Sequence, residues 1–401
     1  PVVRFEAGND ETDNEERVKE QTVAECEEWG LTDALARAAE ALLRANAAEA
    51  GEDSLEPELL FLGTGGAKPT SRRGQSAVLL TWGSFTALLD CGGGTWAQLV
   101  RVLGAKEAQE VVDRLSLVWV SHHHADHCAG LPTLLMQRTA PGLRVVASAQ
   151  VLRFWRAAVA FAGCGRGGAL AAPAISDHGA FRPPQLPGWP RLARSVPVTH
   201  CPQSYALLLQ SASMQIAYSG DCRPSEELVA AATAGPAAGL RTWLVHEATF
   251  NPDEAAHAIA TKHSTTEEAL GVARRMRAVG VLLTHFSQRY PSIALHSGKD
   301  QAAEAEAVAS SAEGGPVVAG AAFDGLRIKV QEMGAFGAAM RTFEDYWARR
   351  HEKTERERIT KLPEPRQPPA GALIPRSCFS AAARAGAAEQ PGPAPGASPE
   401  P

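Results

Sequence analysis

The sequence lacks any apolar run long enough to cross a bilayer, although 45% of its 401 residues are hydrophobic. It also lacks a signal-peptide pattern and an initiator methionine, so we expect a soluble protein that is a fragment or a processed form. Cysteine is sparse, and the seven cysteines include no Cys-x-x-Cys pair. This usage argues against a disulfide framework and favours reduced thiols inside the cell.

The net charge of −6 conceals two regions of opposite charge. Residues 1–58 contain 17 acidic and 5 basic residues, so the remaining residues carry a net charge of +6. A basic body favours contact with polyanions, but lopsided surfaces are common in soluble proteins. The charge therefore agrees with nucleic-acid binding without requiring it.

Composition divides the chain into four parts. Residues 1–57 are predicted to be an acidic helical leader or linker, and residues 58–340 contain the apolar runs of a folded domain. Within this domain, residues 162–195 are rich in Gly, Ala and Pro and are predicted to be an irregular insertion. Residues 341–361 are predicted to be a charged helix, and residues 362–401 a disordered Pro/Ala-rich tail.

Short apolar segments alternate with turns and helical stretches through the folded domain. The predicted strands are residues 58–62, 78–81, 86–90, 115–120, 144–148, 205–209, 215–219, 242–245 and 281–284. Residues 265–268 form the pattern of a capping box that opens a helix. Strands and helices in two such runs predict an α/β sandwich with ligands on loops along one edge.

The strongest local signal is a cluster of metal ligands directly after a predicted strand. Residues 121–127 contain the pattern His-x-His-x-Asp-His, and Zn²⁺ accepts both imidazole and carboxylate ligands. The spacing lets His122 and His124 face one ion while Asp126 and His127 face a second. The alternative is a histidine-rich loop that binds adventitious metal, but ordered polar groups at a strand end more often belong to a site.

Three further candidate ligands follow predicted strands elsewhere, namely His200, Asp221 and His285. A carboxylate such as Asp221 can bridge two cations, which an imidazole does not do comfortably. Any one of these residues alone is more often a core or surface residue than a ligand. Together with the cluster after residue 120, they indicate a centre for two metal ions.

Longer stretches of the chain match the motifs of a known family. The general motifs are residues 61–65 (FLGTG), 89–92 (LDCG), 122–127 and 218–221 (YSGD), and the more specific ones are residues 246–249 (HEAT), 262–265 (KHST) and 285–290 (HFSQRY). With these motifs the chain resembles tRNase Z, the tRNA 3′-processing endoribonuclease family of the metallo-β-lactamase superfamily. The resemblance covers residues 59–292 and is closest to the catalytic C-terminal half of the long enzymes. It implies an αββα sandwich with metal ligands on loops at one edge of the sheets.

The resemblance also implies an activity and a role for each matching residue. The family removes the 3′ trailer from precursor tRNA by phosphodiester hydrolysis, leaving a 3′-hydroxyl on the tRNA and a 5′-phosphate on the trailer. By this pattern one zinc ion would be held by His122, His124 and His200, a second by Asp126, His127 and His285, with Asp221 bridging them. Asp126 would orient the attacking water, His263 would protonate the departing 3′ oxygen, and Glu247 would fix the tautomer of His263. A surface ion pair is the alternative interpretation of Glu247 and His263.

Cationic side chains near the matching motifs are candidates for contacts with RNA phosphates. They are Lys68, Arg72, Arg73, Arg223, Lys262 and Arg289, each of which is as often an ordinary solvated charge. Ser71 and Gly74 replace the family's Lys and Asn, so discrimination against mature CCA ends does not carry over by resemblance. The chain also has no counterpart of the family's tRNA-gripping arm. The expected partners are therefore precursor tRNA and either an N-terminal half or a homodimer partner, with no membrane.

Two other functions stay open from the sequence. A small-molecule hydrolase of the same fold, acting on a phosphodiester, thioester or lactone, would share the ligands without needing Glu247 and His263. A non-catalytic half would bind tRNA without turnover. Nucleus, mitochondrion and plastid all fit the expected intracellular location. The histidines outside any motif are predicted to be solvated: His178, His257, His296 and His351.

Overall fold

The computed structural model describes residues 56–70, 72–161, 174–179, 181–183, 189–289, 319–337 and 340. Almost all of the predicted acidic leader lies outside these residues, as do the charged helix and the C-terminal tail. Those predictions stay predictions.

Strands of the described residues form two sheets. They are β1 (Glu58–Gly63), β2 (Ala77–Trp82), β3 (Phe85–Leu89), β4 (Leu117–Trp119), β5 (Arg144–Val146), β6 (Ala174–Ser176), β7 (Leu192–Pro197), β8 (Tyr205–Gln210), β9 (Met214–Tyr218), β10 (Arg241–Glu247), β11 (Ala278–Thr284), β12 (Ala319–Ala321) and β13 (Arg327–Lys329). The first sheet has the order β13-β1-β2-β3-β4-β5-β6, and the second has the order β12-β11-β10-β9-β8-β7. All the predicted strands are present.

Helices of the described residues flank these sheets, and most of them pack on the outer faces. They are α1 (Thr95–Leu103), α2 (Ala105–Arg114), α3 (Ala125–Cys128), α4 (Leu131–Gln137), α5 (Ala149–Phe161), α6 (Glu226–Thr233), α7 (Ala255–Thr261) and α8 (Thr266–Arg275). The predicted capping box is present, because Thr265 and Glu268 exchange hydrogen bonds at the start of α8. None of the described helices is both long and apolar enough to span a membrane.

Strand β1 shows why the fold has four layers. Leu59 and Phe61 pack between the two sheets with Val245 of the second sheet. Leu60 and Leu62 face the opposite side and pack against α1, α2 and α4. Because successive side chains of a strand point to opposite faces, this apolar strand needs cover on both sides. Helices α6 and α8 cover the second sheet in the same way, which confirms the predicted αββα sandwich.

Parallel strands bring the candidate ligands to one edge. Strands β3, β4 and β5 are parallel neighbours, and so are β9, β10 and β11. The carboxyl ends of parallel strands meet at one edge, which is where ligand sites form in open α/β sheets. Residues 121–127 follow β4, Asp221 follows β9 and His285 follows β11.

The prediction of an irregular insertion at residues 162–195 is wrong in two places. Residues 174–176 form β6, and residues 192–195 are the first four residues of β7. Among the described strands both lie at sheet edges, where β6 pairs with β5 and β7 pairs with β8. Backbone pairing to those neighbours creates the strands, and the Gly-, Ala- and Pro-rich composition around them hides the usual pattern.

Candidate metal centre

The seven side chains predicted as metal ligands converge in two groups. The first group contains His122, His124 and His200, and the second contains Asp126, His127, Asp221 and His285. In the first group, His200 Nε2 lies 3.1 Å from His124 Nδ1. In the second group, His127 Nε2 lies 3.2 Å from His285 Nε2. Residues more than 150 positions apart in the sequence therefore present their polar atoms to the same small space.

Asp221 lies between the two groups. Its Oδ2 atom is 3.1 Å from Nε2 of His127 and 3.7 Å from Nε2 of His122. The same oxygen is 3.8 Å from Nε2 of His200, whereas Oδ1 is 3.3 Å from Nε2 of His285. The carboxylate is thus placed to be shared by cations held in both groups.

The positions and types of the donor atoms in the two groups fit metal ions. His122 Nε2 and Asp221 Oδ1 are buried, and neither has a hydrogen-bond partner among the described residues. A tetrahedral zinc ion with Zn–N distances of about 2.0–2.1 Å sets its nitrogen ligands roughly 3.3 Å apart. The two nitrogen–nitrogen distances given above are close to this value. The donor set of imidazoles and carboxylates is also the one that zinc accepts.

A surrounding layer of contacts orients the imidazoles. The Nδ1 atoms of four histidines each have a nearby polar partner: His127 has Asp90 Oδ2 at 2.8 Å, His200 the Lys262 carbonyl at 3.0 Å, His122 Ser121 Oγ at 2.9 Å and His285 Thr249 Oγ1 at 2.9 Å. With Nδ1 engaged, each ring presents Nε2 to the centre. Contacts of this kind are typical of histidines that bind metals.

Asp90 is a site residue to which the sequence analysis gave no role, although it lies in the LDCG motif. It is fully buried at the end of β3, where its carboxylate accepts hydrogen bonds from the Ser121 amide at 2.7 Å and the Tyr218 hydroxyl at 2.6 Å. Asp90 and His285 both have a φ of 60°, which residues other than glycine rarely adopt. Backbone strain of this kind is concentrated at functional sites.

Burial sets the charge state of the first group. It lowers the pKa of His122 well below its ordinary value and lowers the pKa of His124 to about 4. Burial also lowers the pKa of His200, against the opposing charge of Asp221. These three imidazoles are therefore neutral at neutral pH, which is the form that binds a metal ion.

Glu247 and His263 form a hydrogen-bonded pair beside the candidate metal ligands. Glu247 Oε1 lies 2.9 Å from His263 Nδ1, and its other oxygen accepts from the Thr249 hydroxyl at 2.7 Å. Burial alone would lower the pKa of His263, but the charge and hydrogen bond of Glu247 raise it to about 9. Glu247 is 1% exposed, so the interpretation as a surface ion pair is wrong.

Arg73 is not placed to contact a phosphate. Its guanidinium is buried, donates to Thr64 Oγ1 at 2.8 Å and to the Ala322 carbonyl at 3.1 Å, and lies 4.4 Å from the centroid of the Phe286 ring. The prediction of a substrate contact is therefore wrong for this residue. Its physical role is to join the loop after β1 to the segment after β12.

The other predicted cations divide into three kinds. Arg223 pairs with Glu268 and donates to the carbonyl of His263, so it supports the His263 loop. Lys68 and Arg289 line the cleft above the centre, and Arg289 also pairs with Glu254 at 3.2 Å. Arg72 and Lys262 have exposed side chains that are not part of the cleft wall.

The prediction that His178 is solvated is also wrong. His178 is 5% exposed, its ring stacks on Tyr205 with centroids 4.0 Å apart, and its Nδ1 lies 2.9 Å from Ser195 Oγ. Its burial follows from the pairing of β7 with β8, which the sequence does not reveal. His257 is exposed as predicted, whereas His296 and His351 lie outside the described residues.

A cleft of about 470 Å³ leads to the centre. Its floor includes His124, Asp126, Asp221, His263 and His285, and its walls include Phe250, His257 and Thr261. Gly66 lies against His285, where an added Cβ atom would come within 2.8 Å of the imidazole Cε1. The glycine thus lets the backbone approach a candidate ligand closely.

A two-sheet αββα sandwich with a histidine–aspartate centre at its strand ends defines a class of metal-binding hydrolases. Residues 86–286 match the family model described as the beta-lactamase superfamily domain. The chain belongs to this superfamily.

Within it, the chain is similar to ribonuclease Z proteins. It is 34% identical over 254 residues to "Ribonuclease Z, mitochondrial" of Drosophila melanogaster, a match that covers 58% of this chain and 32% of the relative. It is 35% identical over 277 residues to "Zinc phosphodiesterase ELAC protein 2" of Homo sapiens, covering 62% of this chain and 32% of the relative. The chain thus spans about a third of the length of these curated relatives.

A solved structure shares the fold. The crystal structure of a long form RNase Z from yeast superposes with a TM-score of 0.59 at 19% identity. The match covers 74% of this chain and 45% of the yeast chain.

Proposed function

We propose that this chain is the catalytic part of a tRNase Z-type endoribonuclease that removes the 3′ trailer from precursor tRNA. The similarity to ribonuclease Z relatives supports the RNA substrate. The observation that carries the proposal is the buried Glu247–His263 pair beside the metal ligands, with 2.9 Å between Oε1 and Nδ1. Metal ligands alone serve many hydrolases of this fold, whereas an oriented imidazole outside the ligand set supplies a proton donor for a leaving group.

The cofactor in this proposal is a pair of zinc ions. His122, His124 and His200 would hold one ion, Asp126, His127 and His285 the other, and Asp221 would be shared. Bound there, the ions would neutralise charge on the scissile phosphate and lower the pKa of the attacking water.

The protein's own side chains would move the protons. Asp126 Oδ2 lies 3.4 Å from His285 Nε2 on the floor of the cleft, where its carboxylate can orient a water molecule and accept its proton. His263 would donate a proton from Nε2 to the departing 3′ oxygen. Glu247 accepts from Nδ1 of His263 and thereby keeps that imidazole in the required orientation. The Thr249 hydroxyl contacts both Glu247 and His285, so it links the proton donor to the ligand set.

Precursor tRNA would bind in the cleft near two cationic side chains, Lys68 and Arg289. Lys68 and Arg289 are the predicted phosphate contacts that line the cleft, and such contacts position RNA without reading its sequence. The chain spans about a third of its relatives, so we propose that an N-terminal half or a second copy supplies further grip on tRNA. The names of two relatives contain the word mitochondrial: the Drosophila relative and the Arabidopsis thaliana "tRNase Z TRZ3, mitochondrial". These names support an intracellular location.

Cleavage of doubly end-labelled precursor tRNA tests the proposal. We expect the zinc-loaded protein to leave a 3′-hydroxyl on the tRNA and a 5′-phosphate on the trailer, and Asp126→Ala to abolish cleavage. Asp113→Asn is the matched control, because Asp113 accepts from the Thr139 amide and is neither a candidate ligand nor a residue of the cleft lining. A trailer that stays attached would overturn the proposal, as would full activity of Asp126→Ala. Turnover of a chromogenic phosphodiester without RNA cleavage would support a small-molecule hydrolase, and tRNA binding without turnover a non-catalytic half.

A further inference from the structure

The loop that carries His263 is joined to the segment that follows β9. Residues 262–265 form this loop between α7 and α8. The guanidinium of Arg223 donates to the His263 carbonyl at 2.5 Å, and the backbone amide of Arg223 donates to the Thr199 carbonyl at 2.9 Å. One residue therefore contacts both the main chain of the proposed proton donor and the segment just before the candidate ligand His200.

Glu268 holds the guanidinium of Arg223 in place. Both carboxylate oxygens accept from this guanidinium, Oε2 at 2.8 Å. The Oε2 atom also accepts from the Thr265 amide at 2.9 Å, as part of the capping box of α8. An arginine that meets a carboxylate through two hydrogen bonds is fixed in direction as well as in distance. The first turn of α8 thus sets the position of the Arg223 guanidinium.

Glu247 orients the ring of His263, but the position of that ring also depends on the main chain. Glu247 Oε1 contacts Nδ1 of His263 at 2.9 Å, which determines the direction of Nε2. The main chain turns sharply just before His263, because Lys262 has a φ of 60°. Residues other than glycine rarely adopt this conformation, so surrounding contacts must maintain it. The hydrogen bond from Arg223 to the His263 carbonyl is one of these contacts.

Arg223 is placed behind the proton donor and not beside the substrate. His263 lines the cleft, whereas Arg223 is not among the described residues of the cleft lining. The Arg223 guanidinium is instead engaged by the Glu268 carboxylate and the His263 carbonyl. Any effect of Arg223 on the reaction would therefore pass through His263.

We propose that Arg223, held by Glu268, is a positioning residue that keeps Nε2 of His263 at the departing oxygen of the substrate. This inference rests on the proposed function, because it concerns the proton-donor step of that reaction. In that step the bond between phosphorus and the 3′ oxygen breaks, and the oxygen takes the Nε2 proton of His263. Arg223 gives up no proton and forms no bond to the substrate.

Two phosphodiesters with different leaving groups test the proposal. Precursor tRNA releases an alkoxide that needs a proton, whereas bis(p-nitrophenyl) phosphate releases a nitrophenolate that leaves readily without one. We expect Arg223→Ala to lower kcat for precursor tRNA by about 10–100-fold with a nearly unchanged KM. Its kcat for the nitrophenyl ester should stay close to that of the wild type. Equal losses on the two substrates would overturn the proposal, because they would indicate damage to the metal centre.

A double substitution tests whether Arg223 acts through His263. In the His263→Asn background, Arg223→Ala should cause no further loss of kcat for precursor tRNA, because the group that it positions is absent. Losses that simply add would overturn the proposal. Arg223→Lys should recover part of the activity that Arg223→Ala loses, since an ammonium group can still donate to the His263 carbonyl but cannot hold Glu268 through two bonds.

Arg275→Ala is the matched control. Arg275 lies on the same helix as Glu268 and pairs with Glu226 at the start of α6, so this substitution also removes an Arg–Glu pair. We expect Arg275→Ala to keep kcat near the wild-type value on both substrates. The metal content of Arg223→Ala should also equal that of the wild type, because its backbone amide still donates to the Thr199 carbonyl. Loss of metal would overturn the proposal by showing that Arg223 supports the candidate ligands.

The wild type separates failure of this inference from failure of the proposed function. A wild type that cleaves precursor tRNA, together with an equally active Arg223→Ala, would remove the inference alone. A wild type that hydrolyses the nitrophenyl ester and leaves precursor tRNA intact would remove the proposed function and the inference with it.

Discussion

Asp90 and His127 lie 37 positions apart, and a hydrogen bond of 2.8 Å joins Asp90 Oδ2 to His127 Nδ1. The same carboxylate oxygen accepts from the Tyr218 hydroxyl. Asp90 thus fixes the ring of His127 so that Nε2 points toward Asp221 and His285. Asp90 is not a candidate metal ligand, but its buried carboxylate determines the ring orientation of the candidate ligand His127.

Replacing Asp90 should therefore weaken metal binding. In Asp90→Asn an amide N–H₂ group would replace a carboxylate oxygen that now accepts hydrogen bonds from His127 and Tyr218. The His127 ring would then lose its fixed tautomer. We expect metal affinity to fall by about 10–100-fold, measured by competition with a chromogenic chelator. Asp113→Asn serves as the control, and equal affinity of the two variants would contradict the role assigned to Asp90.

Replacing His263 should separate catalysis from metal binding. His263→Asn removes the proposed proton donor, and we expect RNA cleavage to slow by about 10²–10⁴-fold. The metal content should stay the same, because His263 is not among the proposed ligands. His257→Asn removes an exposed histidine of the cleft wall and should cleave at nearly the wild-type rate. Loss of metal from His263→Asn would show instead that this imidazole is a ligand.

Removing metal should destabilise the fold. Ligand binding to the native state alone adds about 4 kcal/mol of stability when the free ion exceeds its dissociation constant 1,000-fold. We expect a chelator to lower the melting temperature of the wild type, measured by differential scanning calorimetry. In Asp221→Ala the shared carboxylate is absent, so the shift on chelation should be much smaller. An equal shift in both proteins would contradict the shared position of Asp221.

Replacing Arg73 should lower the stability of the fold and should not act through lost contacts with RNA. Arg73→Ala leaves the Thr64 hydroxyl without a donor and removes the bond to the Ala322 carbonyl. We expect the free energy of unfolding to fall by about 2–4 kcal/mol, measured by urea denaturation. Arg72→Ala, one position earlier and exposed, should change it by less than about 0.5 kcal/mol. Weaker tRNA binding with unchanged stability would restore Arg73 as a phosphate contact.

The strands and the convergence of the candidate ligands could be predicted from the sequence because both leave local signals. Apolar runs mark β4 and β9, and the ligands follow them within a few residues, as His122 and Asp221 show. The Glu247–His263 pair is predicted by family motifs, since nothing local joins two residues 16 positions apart.

Long-range packing explains what the sequence does not predict. Arg73 is buried by a contact with Ala322, which is 249 positions away. His178 is buried by stacking on Tyr205 across the edge of the second sheet. Strand β6 exists through its pairing with β5, and its three residues carry no alternation of their own. In each case the environment is created by the assembled fold and is absent from the neighbouring residues.

In the proposed centre, sharing Asp221 would make the two halves thermodynamically linked. An ion that alters this carboxylate in one half changes the affinity of the other half, and the linkage is reciprocal by the same factor. A substitution confined to one half, such as His200→Ala, would then be felt by the ion near His285. The occupancies of the two metal positions would then depend on each other. When metal is scarce, the two positions would lose their ions together and not independently.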